Sequence, residues 1–159
     1  MLFRFGAASV YADSSDGLLL PTGLAYRNST DDLFVANYLT KTIVRIDAAG
    51  DSSVFSNASK GLGGILQLAV SPSGEVFASD VDNRRILKLD ANGNATVFAD
   101  ASDGLLTPIG LEFDGAGDLY VSDSLLSKVF RFDAAGNGVV VADATDGLLL
   151  PAEIGRAHV

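Results

Sequence analysis

The chain of 159 residues has no cysteine and no tryptophan, and it has only one histidine and one methionine. The absence of cysteine excludes disulfides, thiol catalysis and thiolate metal sites. Basic residues are also few: 11 lysines and arginines face 20 aspartates and glutamates, which gives a net charge of −9. Such a surface repels nucleic-acid phosphates and anionic lipid, and no apolar run approaches the roughly 20 residues of a membrane-spanning helix. We therefore expect neither nucleic acid as a partner nor membrane insertion.

What the sequence does contain is a repeated phrase. DGLLLP occupies residues 16–21 and again 146–151, and a near copy, DGLLTP, occupies residues 103–108. The glycine of this phrase recurs after 44, 43 and 43 residues, at Gly17, Gly61, Gly104 and Gly147. A period of this length is typical of proteins built from repeated supersecondary units.

Each repeat contains four short runs with the composition of strands. In the first repeat these are GLAY, LFVA, TIVRID and SVFS, and the next two repeats keep the same order. The third and fourth runs are separated by DAAG, DANG or DAAG, which are typical of hairpin turns. Four-stranded units that repeat roughly every 40 to 50 residues predict an all-β fold, the β-propeller. Its complete antiparallel blades are expected at about residues 22–57, 66–100 and 109–143.

In this arrangement the repeated phrase connects the outer strand of one blade to the inner strand of the next. We expect its leucines to pack between blades. Its proline is expected to begin the inner strand, where a missing N–H does least harm.

Three blades do not close a ring, because propellers have about 4 to 8 blades. The sequence therefore predicts a β-propeller fragment with partial blades at both ends. Residues 1–12 resemble the third and fourth strands of a preceding blade, and the propeller is expected to extend to residue 153. The last six residues, IGRAHV at 154–159, resemble the translation of a sequencing-library adapter, so His158 is not expected to belong to the natural protein. The remaining blades of a longer chain are then expected partners of these three.

The repeats resemble a known family. Residues 66–94, LQLAVSPSGEVFASDVDNRRILKLDANGN, resemble an NHL repeat, with a small residue and Asp after the second strand and Asn-x-Arg-Ile before the third. The wider pattern P-x-G-L-A-x…D-x-L-Y-V-x-D also resembles the gluconolactonase, senescence-marker and luciferin-regenerating family of six-bladed propellers, and the streptogramin-lyase-like propellers. These motifs identify blades and do not identify a reaction.

The resemblance to the gluconolactonase family implies where a metal would be held. In that family, inner strands entering the central channel carry Asn, Asp and Glu side chains that bind a divalent metal, often calcium. Here those positions fall on Thr22, Leu66 and Ile109, none of which is a carboxylate or an amide. The polar candidates that remain near the channel are Gln67, Glu112 and Asp114. For Glu112 a solvated or paired carboxylate is favoured over a metal or catalytic role, so we assign no catalytic residue and no cofactor, and expect calcium only in a longer form of the protein.

A second candidate site lies at the loop between the second and third strands of each blade. Asn37, Asp80 and Asp123 recur there, and the basic residues Lys41, Arg84 and Lys128 follow. The favoured interpretation is an Asx turn with cross-strand or interblade ion pairs. The residues between them vary freely, which is how repeat proteins diversify a binding face. The candidate contacts are Tyr38, Leu39, Asp82, Asn83, Arg84, Leu125 and Leu126.

Two functions remain open at this point. The first is an NHL-like binding or scaffold module for a protein, small-molecule or carbohydrate ligand, with a secreted or periplasmic bacterial location favoured. The alternative is a fragment of a gluconolactonase-like hydrolase or a streptogramin-lyase-like enzyme whose catalytic blades are missing. The lack of family metal ligands at Thr22, Leu66 and Ile109 favours the first.

Overall fold

A computed structural model describes residues 10–152, which form three four-stranded antiparallel sheets. Blade 1 consists of β1 (Pro21–Arg27), β2 (Asp32–Asn37), β3 (Thr42–Ile46) and β4 (Ser52–Ser56). Blade 2 consists of β5 (Ile65–Val70), β6 (Val76–Asp80), β7 (Arg85–Leu89) and β8 (Ala95–Ala99). Blade 3 consists of β9 (Pro108–Phe113), β10 (Leu119–Asp123), β11 (Lys128–Phe132) and β12 (Gly138–Ala142). In each blade the strands lie side by side in chain order, so the prediction of an all-β propeller fragment is confirmed.

The repeated phrase forms a tight turn before each inner strand. The helical segments within residues 10–152 are five three-residue 3-10 turns, and four of them precede the glycine of the phrase. In three of these four turns an aspartate caps the backbone at the start and a second aspartate three residues later bonds back to it. The glycine then adopts the left-handed conformation that ends the turn, with φ between 82° and 100°.

The leucines of the phrase behave differently from one another. The residue directly after the glycine packs inward: Leu62 and Leu105 are buried, and Leu18 contacts the apolar cluster of Val35 and Val44. The next two leucines of the first and last copies are exposed instead, namely Leu19, Leu20, Leu149 and Leu150. The prediction that the leucines of the phrase pack between blades is therefore correct for Leu62 and Leu105 and wrong for these four exposed leucines.

The blades stack face to face through alternate side chains of their strands. Phe34 and Ala36 of β2 belong to the cluster shared with blade 2, whereas Val35 points to the opposite face. The joint between blades 2 and 3 contains an edge-to-face pair of Phe77 and Phe113, with ring centroids 5.0 Å apart. Both faces of blade 2 are thus apolar because each is covered by a neighbouring blade.

A second contact joins the β7–β8 turn of blade 2 to the outer strand of blade 1. The hydroxyl of Ser56 donates to the carbonyl of Gly93 at 2.6 Å. A Cβ on Gly93 would collide with the carbonyl oxygen of Phe55, so only glycine fits there. The equivalent Gly50 of blade 1 has no described atom within 4 Å of its Cβ position, because no described blade precedes blade 1.

Three expectations about the ends lie wholly or partly outside the described residues. Most of the partial blade at 1–12 falls there, as do residue 153 and the tail at 154–159 with His158. Within residues 10–152, no helix is long and apolar enough to cross a membrane.

The two equivalent glycines provide a matched test of the blade stacking. Gly50→Ala should cost about 1 kcal/mol of unfolding free energy, because alanine is strained at positive φ. Gly93→Ala has the same strain and also pushes blade 2 away from Phe55, so we expect it to lower the unfolding free energy by about 2 to 4 kcal/mol. Urea unfolding followed by circular dichroism measures both values. Equal losses in the two variants would show that the turn does not pack on the neighbouring blade.

Candidate binding face

One end of the stacked sheets carries all the loops predicted to bind. Pro21 pairs with Asn37, Ile65 with Asp80 and Pro108 with Asp123, so each lead-in to an inner strand meets the loop after the second strand. We call this end the loop face. It comprises the lead-in loops 13–20, 57–64, 100–107 and 143–150, and the tip loops 38–41, 81–84 and 124–127.

Three equivalent polar residues attach the lead-in loops to their own blades. Asn37, Asp80 and Asp123 are each fully buried at the end of the second strand. The Oδ1 of Asn37 accepts the N–H of Leu19 at 3.0 Å. A carboxylate oxygen of Asp80 accepts the N–H of Gly63 at 3.2 Å. The N–H groups of the lead-in loops have no partner in a strand ladder. These side-chain oxygens accept their hydrogen bonds instead, so that the N–H groups are not left unpaired.

Asp123 makes the fullest version of this contact. Its Oδ2 accepts the N–H groups of Leu106 at 2.7 Å and Thr107 at 2.8 Å, and its Oδ1 accepts that of Leu126 at 3.2 Å. One buried carboxylate therefore holds both the lead-in loop and the tip loop of blade 3.

Ion pairs of the predicted kinds form near these anchors in blades 1 and 2, but Arg84 is not the partner of Asp80. Among residues 10–152, Lys128 forms no ion pair with Asp123, although the two are opposite each other in the ladder. Asp80 pairs with Arg85, its cross-strand partner, with 2.8 Å between Nη2 and Oδ2. Arg84, the predicted partner, is instead exposed and adopts the left-handed conformation with φ of 55°. An interblade pair joins Lys41 of blade 1 to Asp82 of blade 2 at 3.3 Å.

Tyr38 adds a hydrogen bond to the same interblade contact. Its hydroxyl donates to Oδ1 of Asp82 at 3.0 Å. This hydrogen bond, with the negative charge of Asp82, raises the pKa of the Tyr38 phenol above its ordinary value, because the bond favours the neutral form. Tyr38 and Asp82 thus link blades 1 and 2 across the loop face.

The other predicted contacts divide into two groups. Leu39 is 60% exposed and Leu125 is 65% exposed, and they occupy equivalent tip positions of blades 1 and 3. Arg84 is also exposed. By contrast, the amide of Asn83 donates to the carboxylate of Asp80, and Leu126 packs against the core between blades 2 and 3. Asp82 and Asn83 are also exposed, but their side chains bond to neighbouring residues. Leu39, Arg84 and Leu125 are exposed without such a bond among residues 10–152.

The three polar residues predicted near the channel, Gln67, Glu112 and Asp114, lie in different local environments. The β5–β6 ladder shifts register before Leu68, and the N–H of Gln67 turns to the hydroxyl of Ser79 at 3.0 Å. The side-chain oxygen of Gln67 lies against Gly23 of blade 1, 2.6 Å from the position of a Cβ there. Asp114 caps the β9–β10 turn, where it accepts the N–H groups of Ala116 and Asp118 at 2.9 and 3.0 Å.

Glu112 of the inner strand β9 lies on a face of its blade. It pairs with Tyr120 across the ladder, as Ala25 pairs with Phe34 in blade 1. Because Ala25 and Phe34 are buried in the joint toward the next blade, Glu112 stands on the face of blade 3 that points away from blade 2. Within residues 10–152, no group of three histidine, aspartate or glutamate side chains is placed to hold a metal ion.

A charge pattern at the opposite end of the sheets was missed by sequence reasoning. An acidic residue at the start of the second strand pairs with a basic residue of the third strand in each blade. The pairs are Asp32–Arg45 at 2.8 Å, Glu75–Lys88 at 2.7 Å and Asp118–Arg131 at 3.7 Å. The signal was present, since both members of the pair recur every 43 residues.

Asp32 is the buried member of this series. Burial by itself would raise its pKa, but hydrogen bonds from Thr30, Arg27 and Arg45 outweigh it, and the pKa lies below the ordinary value. A cleft of about 380 Å³ opens beside these pairs between blades 1 and 2, lined among others by Arg27, Glu75 and Lys88. The charged groups named here are already paired, with Arg27 on Asp32 and Lys88 on Glu75, which makes the cleft a weaker ligand site than the loop face.

The stacked four-stranded blades and their 43-residue frame define a β-propeller fragment. No protein-family model matches the sequence, and no curated protein matches it significantly. Among solved structures, the chain is similar to a chain of the nidogen/laminin complex, with a TM-score of 0.74, 24% identity, and coverage of 84% of this chain and 51% of that one.

Two enzymes show the same fold. A gluconolactonase from Xanthomonas campestris matches with a TM-score of 0.67 and 18% identity, over 77% of this chain and 47% of that one. A catalytically inactive virginiamycin B lyase from Staphylococcus aureus, solved with quinupristin, matches with a TM-score of 0.70 and 16% identity, over 84% and 44%. The chain thus spans about half the length of the solved structures it matches. At these identities the similarity establishes the fold alone, and at that level the predicted resemblance is confirmed.

Replacing Asp123 tests the buried anchor. Asp123→Ala leaves the N–H groups of Leu106 and Thr107 without their acceptor, and we expect a loss of about 2 to 5 kcal/mol in unfolding free energy. Asp123→Asn is the matched control, since Asn37 fills the equivalent position in blade 1, and it should cost about 1 kcal/mol. Chemical denaturation measures both. An alanine variant as stable as the asparagine variant would contradict the anchoring role.

The lowered pKa of Asp32 predicts how acid affects the fold. A carboxyl whose pKa is lower in the folded than in the unfolded state stabilises the fold above its unfolded pKa. That contribution is lost as the pH falls from about 5 through the folded pKa. Urea midpoints measured from about pH 7 down to pH 2 should show this loss in the native chain. Asp32→Asn should be less stable at neutral pH and should depend less on pH; an unchanged pH profile would contradict the assignment.

Proposed function

We propose that the chain is a propeller repeat module that binds a partner protein through its loop face. The observation that carries the proposal is the contrast between anchors and tips. Asn37, Asp80 and Asp123 are fully buried and hold each loop in place, while Leu39 and Leu125 at the tips are largely exposed. A rigid frame that carries variable, exposed side chains at its loop tips is the arrangement by which repeat proteins form a binding face.

Leucine at the tips is the reason for choosing a protein over a small ligand. Small-molecule sites are concave and enclose most of their ligand. Leu39 and Leu125 instead project from separate blades, which suits a broad and shallow partner surface. Arg84, from the blade between them, adds a charged contact of the kind enriched at protein interfaces.

The alternative, a fragment of a hydrolase or lyase, is weakened by the inner strands. The hydroxyl of Thr22, at a position where the resembling hydrolases carry a metal ligand, donates to the carbonyls of Ile65 at 3.0 Å and Ala36 at 3.3 Å. Leu66 and Ile109 at the matching positions offer no oxygen ligand from their side chains. We therefore infer that binding, and not metal-assisted hydrolysis, is the function of these three blades.

A displayed library of random peptides about 12 residues long provides the test, since short segments retain the main recognition modes of protein partners. Peptides selected on the native chain should bind Leu39→Ser/Leu125→Ser at least about tenfold more weakly. The matched control is Val54→Ser/Val97→Ser, which removes two exposed valines from the outer strands, away from the tips. Its affinity should be unchanged.

Two results would count against the proposal. One is a set of peptides that binds both double variants equally, since the tips would then play no part. The other is calcium-dependent gluconolactone hydrolysis by the native chain that is lost in Glu112→Gln, which would favour the enzyme instead.

A further inference from the structure

The exposed leucines of this protein are concentrated on one surface. Among the described residues seven leucines are exposed, and six of them lie on the loop face: Leu19, Leu20, Leu39, Leu125, Leu149 and Leu150. Four of these six form two pairs at equivalent positions of the repeated phrase. Leu19 is tied to the loop face by its N–H bond to Asn37, and Leu150 by a 3.4 Å bond from its N–H to the hydroxyl of Ser127.

The second leucine of each pair is held in a strained backbone conformation. Leu20 has φ of 50° and Leu150 has φ of 48°, and each directly precedes a proline. A residue with a Cβ pays of the order of 1 kcal/mol or more for positive φ, and the left-handed region is uncommon for leucine. Their side chains nevertheless remain 61% and 63% exposed, so burial within residues 10–152 does not offset the strain. Such strain marks a position shaped by something other than packing.

The third copy of the phrase provides a comparison within the chain. Thr107 stands where Leu20 and Leu150 stand, is partly buried, and is not among the residues with positive φ. Its N–H bonds to the carboxylate of Asp123 at 2.8 Å. A conformation without positive φ, bonded to the buried aspartate, is therefore available to this loop. In the first and last copies of the phrase, leucine occupies the same position with positive φ.

Negative charge accompanies both leucine pairs. Each follows a turn capped by two aspartates, Asp13 and Asp16 in one copy and Asp143 and Asp146 in the other. Residues 10–21 and 143–152 contain no lysine, arginine or histidine. Hydrogen bonds from Ser15 and Thr145 lower the pKa of the two capping carboxyls, which therefore stay ionised at neutral pH. One cation acts on these carboxyls, since the charge of Lys128 also lowers the pKa of Asp143.

We propose that the pairs Leu19–Leu20 and Leu149–Leu150 are docking points for a basic amphipathic segment of a partner protein. Its apolar side chains would cover the leucines and its lysines or arginines would face the four aspartates. The charge of the site selects this occupant, since an acidic segment would be repelled by carboxylates that have no basic residue within their own loops. This inference rests on the proposed function and names the class of partner that the loop face takes.

A synthetic amphipathic peptide of leucine and lysine, about 14 residues long and carrying a fluorophore, is the probe. Fluorescence anisotropy should show binding that weakens with added salt. A control peptide of the same pattern, with glutamate in place of every lysine, should not bind. Leu20→Gly/Leu150→Gly should weaken binding at least about tenfold. The same variant should keep or raise its urea midpoint, because glycine accepts positive φ without strain. Val54→Ser/Val97→Ser should bind as the native chain does.

The outcomes separate the possibilities. A glycine variant that unfolds more easily would show that the leucines are structural and overturn the inference, as would equal binding of the lysine and glutamate peptides. A change of mass by light scattering in the glycine variant would assign the leucines to a contact between copies of the chain, which also overturns it. If library peptides bind through Leu39 and Leu125 while the leucine–lysine peptide does not, the proposed function stands and this inference falls.

Discussion

The hydrogen bonds accepted by the polar residue at the end of each second strand are the interaction on which the blades depend. A lead-in loop crosses from one sheet to the next without ladder partners for its N–H groups, and a buried N–H left unpaired costs about 1 to 3 kcal/mol. Asn37, Asp80 and Asp123 remove that cost by accepting these N–H groups from within the blade itself. Once the loop is fixed, the inner strand begins in register, and the alternate side chains of the sheet meet the neighbouring blade. The loop tips are then carried on a frame that has no need to rearrange.

The two ends of the sheets have consequently taken different roles. At the end opposite the loop face, each blade closes its turns with a carboxylate–base pair such as Asp32–Arg45, so charge is used internally. On the loop face, the buried polar residues Asn37, Asp80 and Asp123 anchor the loops, and six leucines are exposed. Tyr38 and Asp82 in addition link blades 1 and 2 across the face. This division is what makes the loop face the better candidate for recognition.

The sequence predicted the blades well because a repeat forces equivalent residues into equivalent places, and a 43-residue register leaves few ways to pair twelve strands. It predicted the three anchors as polar turn residues, but their acceptor role depends on N–H groups some 16 to 18 residues earlier in the chain, which only the fold brings near. The choice of Arg84 over Arg85 failed for a local reason. Arg84 adopts a left-handed conformation that leaves Arg85 as the cross-strand partner of Asp80. The exposure of Leu20 could not be predicted from the local sequence, because the same residues could equally form a buried loop.

The anchors also determine where one repeat ends and the next begins. Because each lead-in loop is bonded to the blade that follows it, the self-sufficient segment starts at the capped turn and finishes with the outer strand, as in residues 57–99 of blade 2. A gene duplication cut at those points copies a blade together with the carboxylate that closes its own connection. A cut on the far side of the loop would separate donor from acceptor and leave both copies incomplete. The position of one buried aspartate thus sets the unit by which such an array can lengthen.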